Sequence, residues 1–406
     1  MKEKLEKRLR IHYAMILGVY WIVMAIFSVF VVPLLRQRGF DNNQIGILLA
    51  IRSFACIGIQ PVVASFSDRY AKEIPLKYTI SVIIGISLIA TLVLSWHNFG
   101  FWGTAVIFGF LGATINALTP MYNSLAMQYL YAGIDLNFSV ARGCGSVSWA
   151  FCCIFLGYMV DAFGVESNLI LQAGVSVVSL LLILTFPKCE PPVGEQGKNA
   201  AVKVHGIWEI IKENRGFTLF LIASALLFVG NNMTTSFLVD VVEKLHGTNK
   251  DVGYAQFMLA AAEIPTAIFF VRMKKKIGTG NIMKICAWFI FIKTAAILLS
   301  PNIPVLIAVQ AFQMLGGGLY WSGSVFYVNE TISSEDRVKG QSLMTIASTG
   351  IGGGVGSVIS GTIMNYYDIN TLLMTGIVCA VIGVAVMMLA MKKSGESEKS
   401  MVCFNR

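Results

Sequence analysis

Four charged side chains fall inside long apolar stretches of this 406-residue sequence: Arg52, Arg142, Glu263 and Lys293. At the centre of a lipid-embedded helix each costs about 2.5–3.5 kcal/mol on insertion scales, so each needs a partner or a wet cavity. Glu263 is the one acid among them. It stands twelve residues before Lys275 and ten after Gly253, which is about 18 Å and 15 Å along a helix and near mid-membrane. A carboxyl in a poorly solvated site holds a proton more readily than in water, as a proton-coupled carrier requires. Lys293, at similar depth, offers the plainer role of a structural ion pair. The two roles are compatible, because a carrier can break such a pair on protonation.

Arg142 opens a second set. Trp149 follows seven residues later, on the same helical face. A guanidinium can grip oxygens while an indole stacks on a ring, so the pair suits a sugar, a nucleoside or a carboxylated ring. The plain alternatives are packing of Trp149 against a neighbouring helix and snorkelling of Arg142. Arg52 either lines an outer vestibule or caps a helix pair. Asn231, Asn232 and Gln313, with Tyr320 and Trp321, add uncharged hydrogen-bonding groups at plausible depth. The glycines at 316–318 and in GIGGGVGS read as packing or bending positions.

These residues need a membrane to position them. The chain is 56% hydrophobic and only 13% charged, with a mean hydropathy of +0.70, whereas soluble domains run near a quarter charged. An ordinary cytosolic domain and a disordered chain are both excluded. Twelve apolar runs are long enough to cross a hydrocarbon core of about 30 Å as helices. They are 12–35, 44–66, 78–96, 101–130, 139–160, 167–187, 216–240, 252–271, 283–300, 303–328, 340–366 and 370–391. The short alternating strands of a β-barrel are absent. The first run is expected to be retained, since no small-residue cleavage site follows it.

Basic residues give the orientation. Alternate segments on the terminal side carry 24 Lys and Arg, the opposite loops only Arg36, Arg38, Lys244 and Lys250. That split places both termini in the cytoplasm. The net charge of +9 is thereby a topology signal, and no loop is large enough to form a nucleic-acid surface. None of the eight Cys lies in an outside loop, so neither disulfides nor zinc spacing are expected. The four His stand at span ends or in loops. No hydrolase, metalloprotease or nucleotide-binding motif occurs, so neither an enzyme, a cofactor nor an ATP-driven pump is expected.

The segment 188–215 begins KCEPPVGEQGKN and ends in the short amphipathic IWEIIKEN, suited to the membrane surface. It reads as a cytoplasmic linker between six-helix bundles at 1–187 and 216–391, with a tail at 392–406. A weak repeat at a shift of 207 residues places Ile45-Gly46 on Val252-Gly253 and Asp68-Arg69 on Lys275-Lys276. Parallel six-span repeats are a transporter architecture, with the substrate site expected near the midplane between halves.

The segment PLLRQRGFDNNQIGILLAIRSFACIGIQPVVASFSDRY resembles the major facilitator superfamily, particularly the lactose permease-like oligosaccharide:proton symporters. Its end matches the signature G-x-x-x-D-R/K, with Ala64 in place of the glycine. The resemblance implies that Asp68 and Arg69 latch cytoplasmic helix ends as a gate. FSVARGCGSVSWA resembles the family's fifth-span motif, which implies substrate roles for Arg142 and Trp149. The family's fourth-span carboxylate would fall near Asn123 or Ser124, leaving Asn123 as a neutral substrate contact. Its tenth-span His and Glu fall near Gln313 and Gly316, neither able to carry a proton. Glu263 lies about three residues from the family's eighth-span glutamate, and Lys293 resembles its ninth-span arginine, so coupling would lean on Glu263.

The expected protein is therefore an all-α membrane protein of twelve transmembrane helices in two pseudo-symmetric bundles. It is read as a monomeric, multi-pass carrier of the cytoplasmic membrane, surrounded by lipid, moving a small polar solute with H+ by alternating access. A uniporter or proton-antiport exporter of the same fold stays open, as does a non-transporting sensor. The fifth span lacks the proline usual in drug antiporters, and the tail after Met391 offers no output domain.

Overall fold

The computed structural model describes residues 2–69, 75–188, 207–333 and 336–404. Side chains are described there except at 2–5, 59–69, 131, 139, 207, 267–268, 338 and 394–404. The described residues are helical, without strands. Long helices run as α1 (Lys2–Val29), α2 (Asn42–Arg69), α3 (Leu76–Trp96), α4 (Phe101–Tyr131), α5 (Phe138–Phe163), α6 (Ser167–Thr185), α7 (Arg215–Ser236), α8 (Asn249–Ile277), α9 (Thr279–Leu298), α10 (Gly317–Thr331), α11 (Gly353–Tyr366) and α12 (Ile369–Phe404). Ten spans among the described residues pass as membrane-crossing by length and hydropathy, or eleven with the bent pair Asn249–Thr266 and Phe269–Ile277. The side chains of α2 are described only as far as residue 58.

The runs 12–35 and 216–240 each pass into a short second helix, Val31–Gln37 and Leu238–Lys244, and two further runs contain turns that are not α-helical. The run 303–328 comprises the short helix Ile303–Val309, a 3-10 segment Gln310–Met314 and then α10. The run 340–366 passes through the helix Arg337–Thr345 and a π-helical segment Ile346–Gly352 before α11. Both breaks fall where glycines cluster, and glycine weakens the α-helical preference that side chains would otherwise supply.

The chain forms two compact units, Met1–Lys198 with His246–Ala260, and Asn199–Leu245 with Ala261–Arg406. In the first, α1 packs along α5 and α6, α2 along α4, and α3 along α4 and α6. Its interior holds Tyr13, Tyr20, Phe30, Phe108, Tyr122 and Phe186. In the second, α12 packs along α7 and α9, and Phe217, Phe220, Met283, Tyr320, Tyr327 and Met387 form one apolar cluster. Ile210 of the short helix Ile207–Glu213 joins that cluster, while Trp208 stays exposed as an amphipathic surface helix requires.

Polar side chains concentrate at helix ends. Asp41 accepts from the Gln44 backbone N–H at 2.8 Å, while Gln44 Oε1 accepts from the Asp41 N–H, a capping box opening α2. Asp251 accepts from the Thr248 N–H at the start of α8. Arg38 joins three helix ends: its guanidinium makes two 2.8 Å bonds to the Glu166 carboxylate and a 2.7 Å bond to the Leu94 carbonyl. Trp96, Trp102 and Phe163, all at span ends, expose broad aromatic faces, as rings do at a membrane interface.

Asp368 opens α12 in the same way, accepting from the Thr371 N–H at 2.9 Å and from the Thr371 hydroxyl at 2.6 Å. These bonds favour the carboxylate and draw its pKa down to about 2. The folded value lies below the unfolded one, so the cap's contribution is complete above about pH 4 and fades as pH falls through the folded value. Asp368→Ala is expected to lower the melting temperature at neutral pH, with the gap to wild type closing between about pH 4 and pH 2. Thermal unfolding in detergent across that range measures it.

Candidate functional site

In the second unit, three polar side chains from three helical segments meet. Lys293 of α9 is 2% exposed, and its ammonium donates to Gln313 Oε1 at 2.8 Å. The Gln313 amide nitrogen donates in turn to Glu263 Oε1 of α8 at 2.9 Å. Gln313 lies on the 3-10 segment, and the break there turns its side chain toward α8 and α9. Gly317 reopens the helix beneath it. A Cβ at Gly317 would run into the Gln313 amide, and one at Gly318 would approach Glu263 Cγ at 3.4 Å. Thr266, one turn after Glu263, donates to the Met314 carbonyl at 2.8 Å and holds α8 against the same break.

The arrangement balances charge without placing cation and anion in sequence neighbourhood. Ammonium, amide and carboxylate alternate as donor and acceptor, and each bond to a charged group is stronger than a neutral one. One turn beyond Gly317 on α10, Trp321 is 40% exposed and meets Phe228 of α7 edge-on at 5.2 Å. Asn232 Oδ1 accepts from the Ser357 hydroxyl at 3.2 Å, so this amide joins α7 to α11. Its half-buried neighbour Asn231 uses its backbone carbonyl to accept from the hydroxyls of Thr234 and Thr235.

In the first unit, Arg142 and Trp149 converge through a residue that spacing alone did not single out. The Arg142 guanidinium carbon sits 4.0 Å from the centre of the Trp21 ring, a cation–π distance. Trp149 meets the same indole edge-on at 5.9 Å. Between them Gly145 leaves the space that Trp21 fills, since a Cβ there would collide with the ring. Positions 142, 145 and 149 thus form one face of α5 closed around an indole from α1. Beside Trp21, the Tyr20 hydroxyl bonds Thr119 of α4 and the Ile115 carbonyl. Asn123, one turn beyond Thr119, is exposed.

Arg52 proves to cap a helix pair. It donates to the Phe27 carbonyl at 3.1 Å and to Ser28 Oγ at 2.9 Å, where α1 ends before the short helix Val31–Gln37. Asp68 and Arg69 lie in the last turn of α2, and their side chains fall outside the described residues. Among the described residues, no group of three metal-ligating side chains occurs.

The sequence profile of the MFS_1 like family matches residues 10–391. The chain belongs to this family. A maltose permease of Geobacillus stearothermophilus is 21% identical over 370 residues, covering 91% of each chain. Among solved structures, the nucleoside transporter NupG superposes with a TM-score of 0.79 at 15% identity, over 95% of this chain and 99% of its own. A bacterial homologue of the human lysosomal transporter Spinster gives 0.74 at 14%, over 96% and 98%. The fold is that of the major facilitator transporters, and the protein is a membrane transporter rather than an enzyme.

Replacing Gln313 by Leu strips a buried ammonium of its acceptor. The expected loss is about 1–3 kcal/mol of stability. Gly317→Ala should reproduce part of that loss by displacing the amide. Melting curves of both variants against wild type test this, and a Gly317→Ala protein as stable as wild type would show that Gln313 has no fixed seat.

Proposed function

We propose that this transporter takes up a small polar solute bearing a ring, a sugar or a nucleoside, together with a proton, by alternating access. The reading rests chiefly on the chain Lys293–Gln313–Glu263, which ties a half-buried carboxyl to a buried ammonium through a buried amide. Glu263 is the proton site and Lys293 its electrostatic counterweight. Arg142 supplies donors for solute oxygens, and the indoles of Trp21, Trp149 and Trp321 supply stacking faces. Asn123, Asn231 and Asn232 add neutral hydrogen bonds. The similarity to a maltose permease and to a nucleoside transporter supports the solute class.

Alternating access requires helix contacts that can part, and the first unit contains one near its outer end. Gly157 of α5 faces the Asn249 carbonyl of α8, and Gly253 faces the Cys153 carbonyl. At either glycine an added Cβ would stand only 2.6 Å from that oxygen. Asp161 closes the contact with a 2.8 Å bond from Asn249 and a weaker pair with Lys250 at 3.9 Å. Such a backbone-to-backbone seam gains dispersion at no side-chain entropy and can separate without unfolding. Asp68 and Arg69 are proposed as the gate at the other end of the first bundle. The basic excess of the terminal-side segments supports cytoplasmic termini.

Proteoliposomes with an imposed pH gradient test the coupling. Wild type should accumulate solute against its gradient, whereas Glu263→Gln should lose accumulation while keeping counterflow exchange. Accumulation that survives in Glu263→Gln would refute the assignment. Counterflow in wild type with no proton uptake would favour a uniporter, in keeping with the neutral Gln313 and Gly316 of the tenth span.

A further inference from the structure

On the first unit, α1 packs along both α5 and α6, which touch each other only sparsely. The gap between them forms a cavity of about 770 Å³ with α1 as its floor. Its walls are apolar, with Met15 and Ile22 from α1, Val140 and Cys144 from α5, and Val178 from α6. Most of these side chains are exposed rather than packed within the unit. The polar end is sharply defined. Arg10 stands there, its Nε anchored on the Asp135 carbonyl at 2.8 Å. Asn137 in a left-handed conformation (φ 53°, ψ 58°) starts α5 beside it. Lys7 and Arg8 precede Arg10 on α1 as exposed cations, and Glu6 pairs loosely with Arg10 Nη2 at 3.9 Å.

We propose that this groove is a site for one anionic phospholipid, with an acyl chain along α1 and the headgroup phosphate on Arg10. Two observations select that occupant. From Arg10 to Ile22 the groove follows twelve residues of helix, about 18 Å, close to the roughly 15 Å depth of one leaflet. An apolar trough of that length takes a hydrocarbon chain. The cationic charge gathered at one end complements a phosphate and a net negative headgroup, as basic pockets between spans do. The anchored Nε fixes the guanidinium plane, and the terminal nitrogens, of which Nη2 stands 3.9 Å from a Glu6 oxygen, can make shorter charge-assisted bonds to phosphate oxygens. A zwitterionic lipid would fill the trough equally well but forgo the net attraction of the basic turn.

Native mass spectrometry of the full-length protein in detergent, titrated with phosphatidylglycerol or phosphatidylcholine, tests the site. Wild type is expected to retain one phosphatidylglycerol with about tenfold preference over phosphatidylcholine. Arg10→Gln should abolish that preference and leave phosphatidylcholine binding unchanged, while Arg10→Lys keeps most of it. Val140→Trp, which fills the trough, should reduce retention of both lipids. Equal retention of the two lipids by wild type would overturn the proposal without reference to any variant. Preference undiminished in Arg10→Gln, or retention undiminished in Val140→Trp, would overturn it as well.

Discussion

A charge within the hydrocarbon layer has no water to turn to, and this structure meets that demand for four side chains in three ways. Arg52 spends its guanidinium on a main-chain carbonyl and a serine at the end of α1, a local solution that ties two neighbouring helices. Arg142 lies over an indole face, which compensates charge without consuming its hydrogen-bond donors in that contact. Lys293 and Glu263 share a neutral mediator. The first solution ties helices together, and the other two hold the groups to which the proposed function assigns the solute and the proton.

Glycine makes these placements possible in a specific sense. At Gly145 and Gly317 the missing Cβ gives space to a side chain: the Trp21 ring in one unit, the Gln313 amide in the other. At Gly157 and Gly253 it gives space to a neighbouring backbone. The first use fixes a functional group by shape, and the second lets two helices meet along a surface with little side-chain interdigitation. Membrane interiors favour both, because lipid supplies no hydrophobic drive and helices must gain from close contact.

Hydropathy and charge made the helices legible, since a lipid-spanning run and a basic flank are local properties. Even so, α1 begins well before the apolar run 12–35, as its basic first turns are helical outside the apolar stretch. The breaks at Gln310–Met314 and Ile346–Gly352 were readable only as glycine clusters, because a 3-10 or π turn depends on what packs against it. Glu263, Lys293, Arg142 and Trp149 stood out as rare residues in apolar surroundings. Gln313 drew notice as a polar group, but its position between the two charges depends on three helical segments meeting, and no spacing encodes that. Trp21 escaped for the same reason, as an aromatic in a first span is ordinary until a cation is found on its face.

The choice of an amide between Lys293 and Glu263 has a physical consequence for the proposed coupling. In a direct ion pair, protonating the carboxylate leaves the ammonium buried without compensation, a state costing several kcal/mol. Here the ammonium bonds a carbonyl oxygen of Gln313, and that oxygen remains an acceptor whatever the state of Glu263. The amide N–H can donate to a carboxylate or to the carbonyl oxygen of the neutral acid. Proton arrival therefore weakens one charge-assisted bond to a neutral one rather than breaking the chain, and the energetic gap between the two protonation states narrows. A carrier that must be traversed in both states gains from that levelling, since a site too stable in either state would stall the cycle there. On this argument Gln313, which cannot titrate, tunes the carboxyl that can.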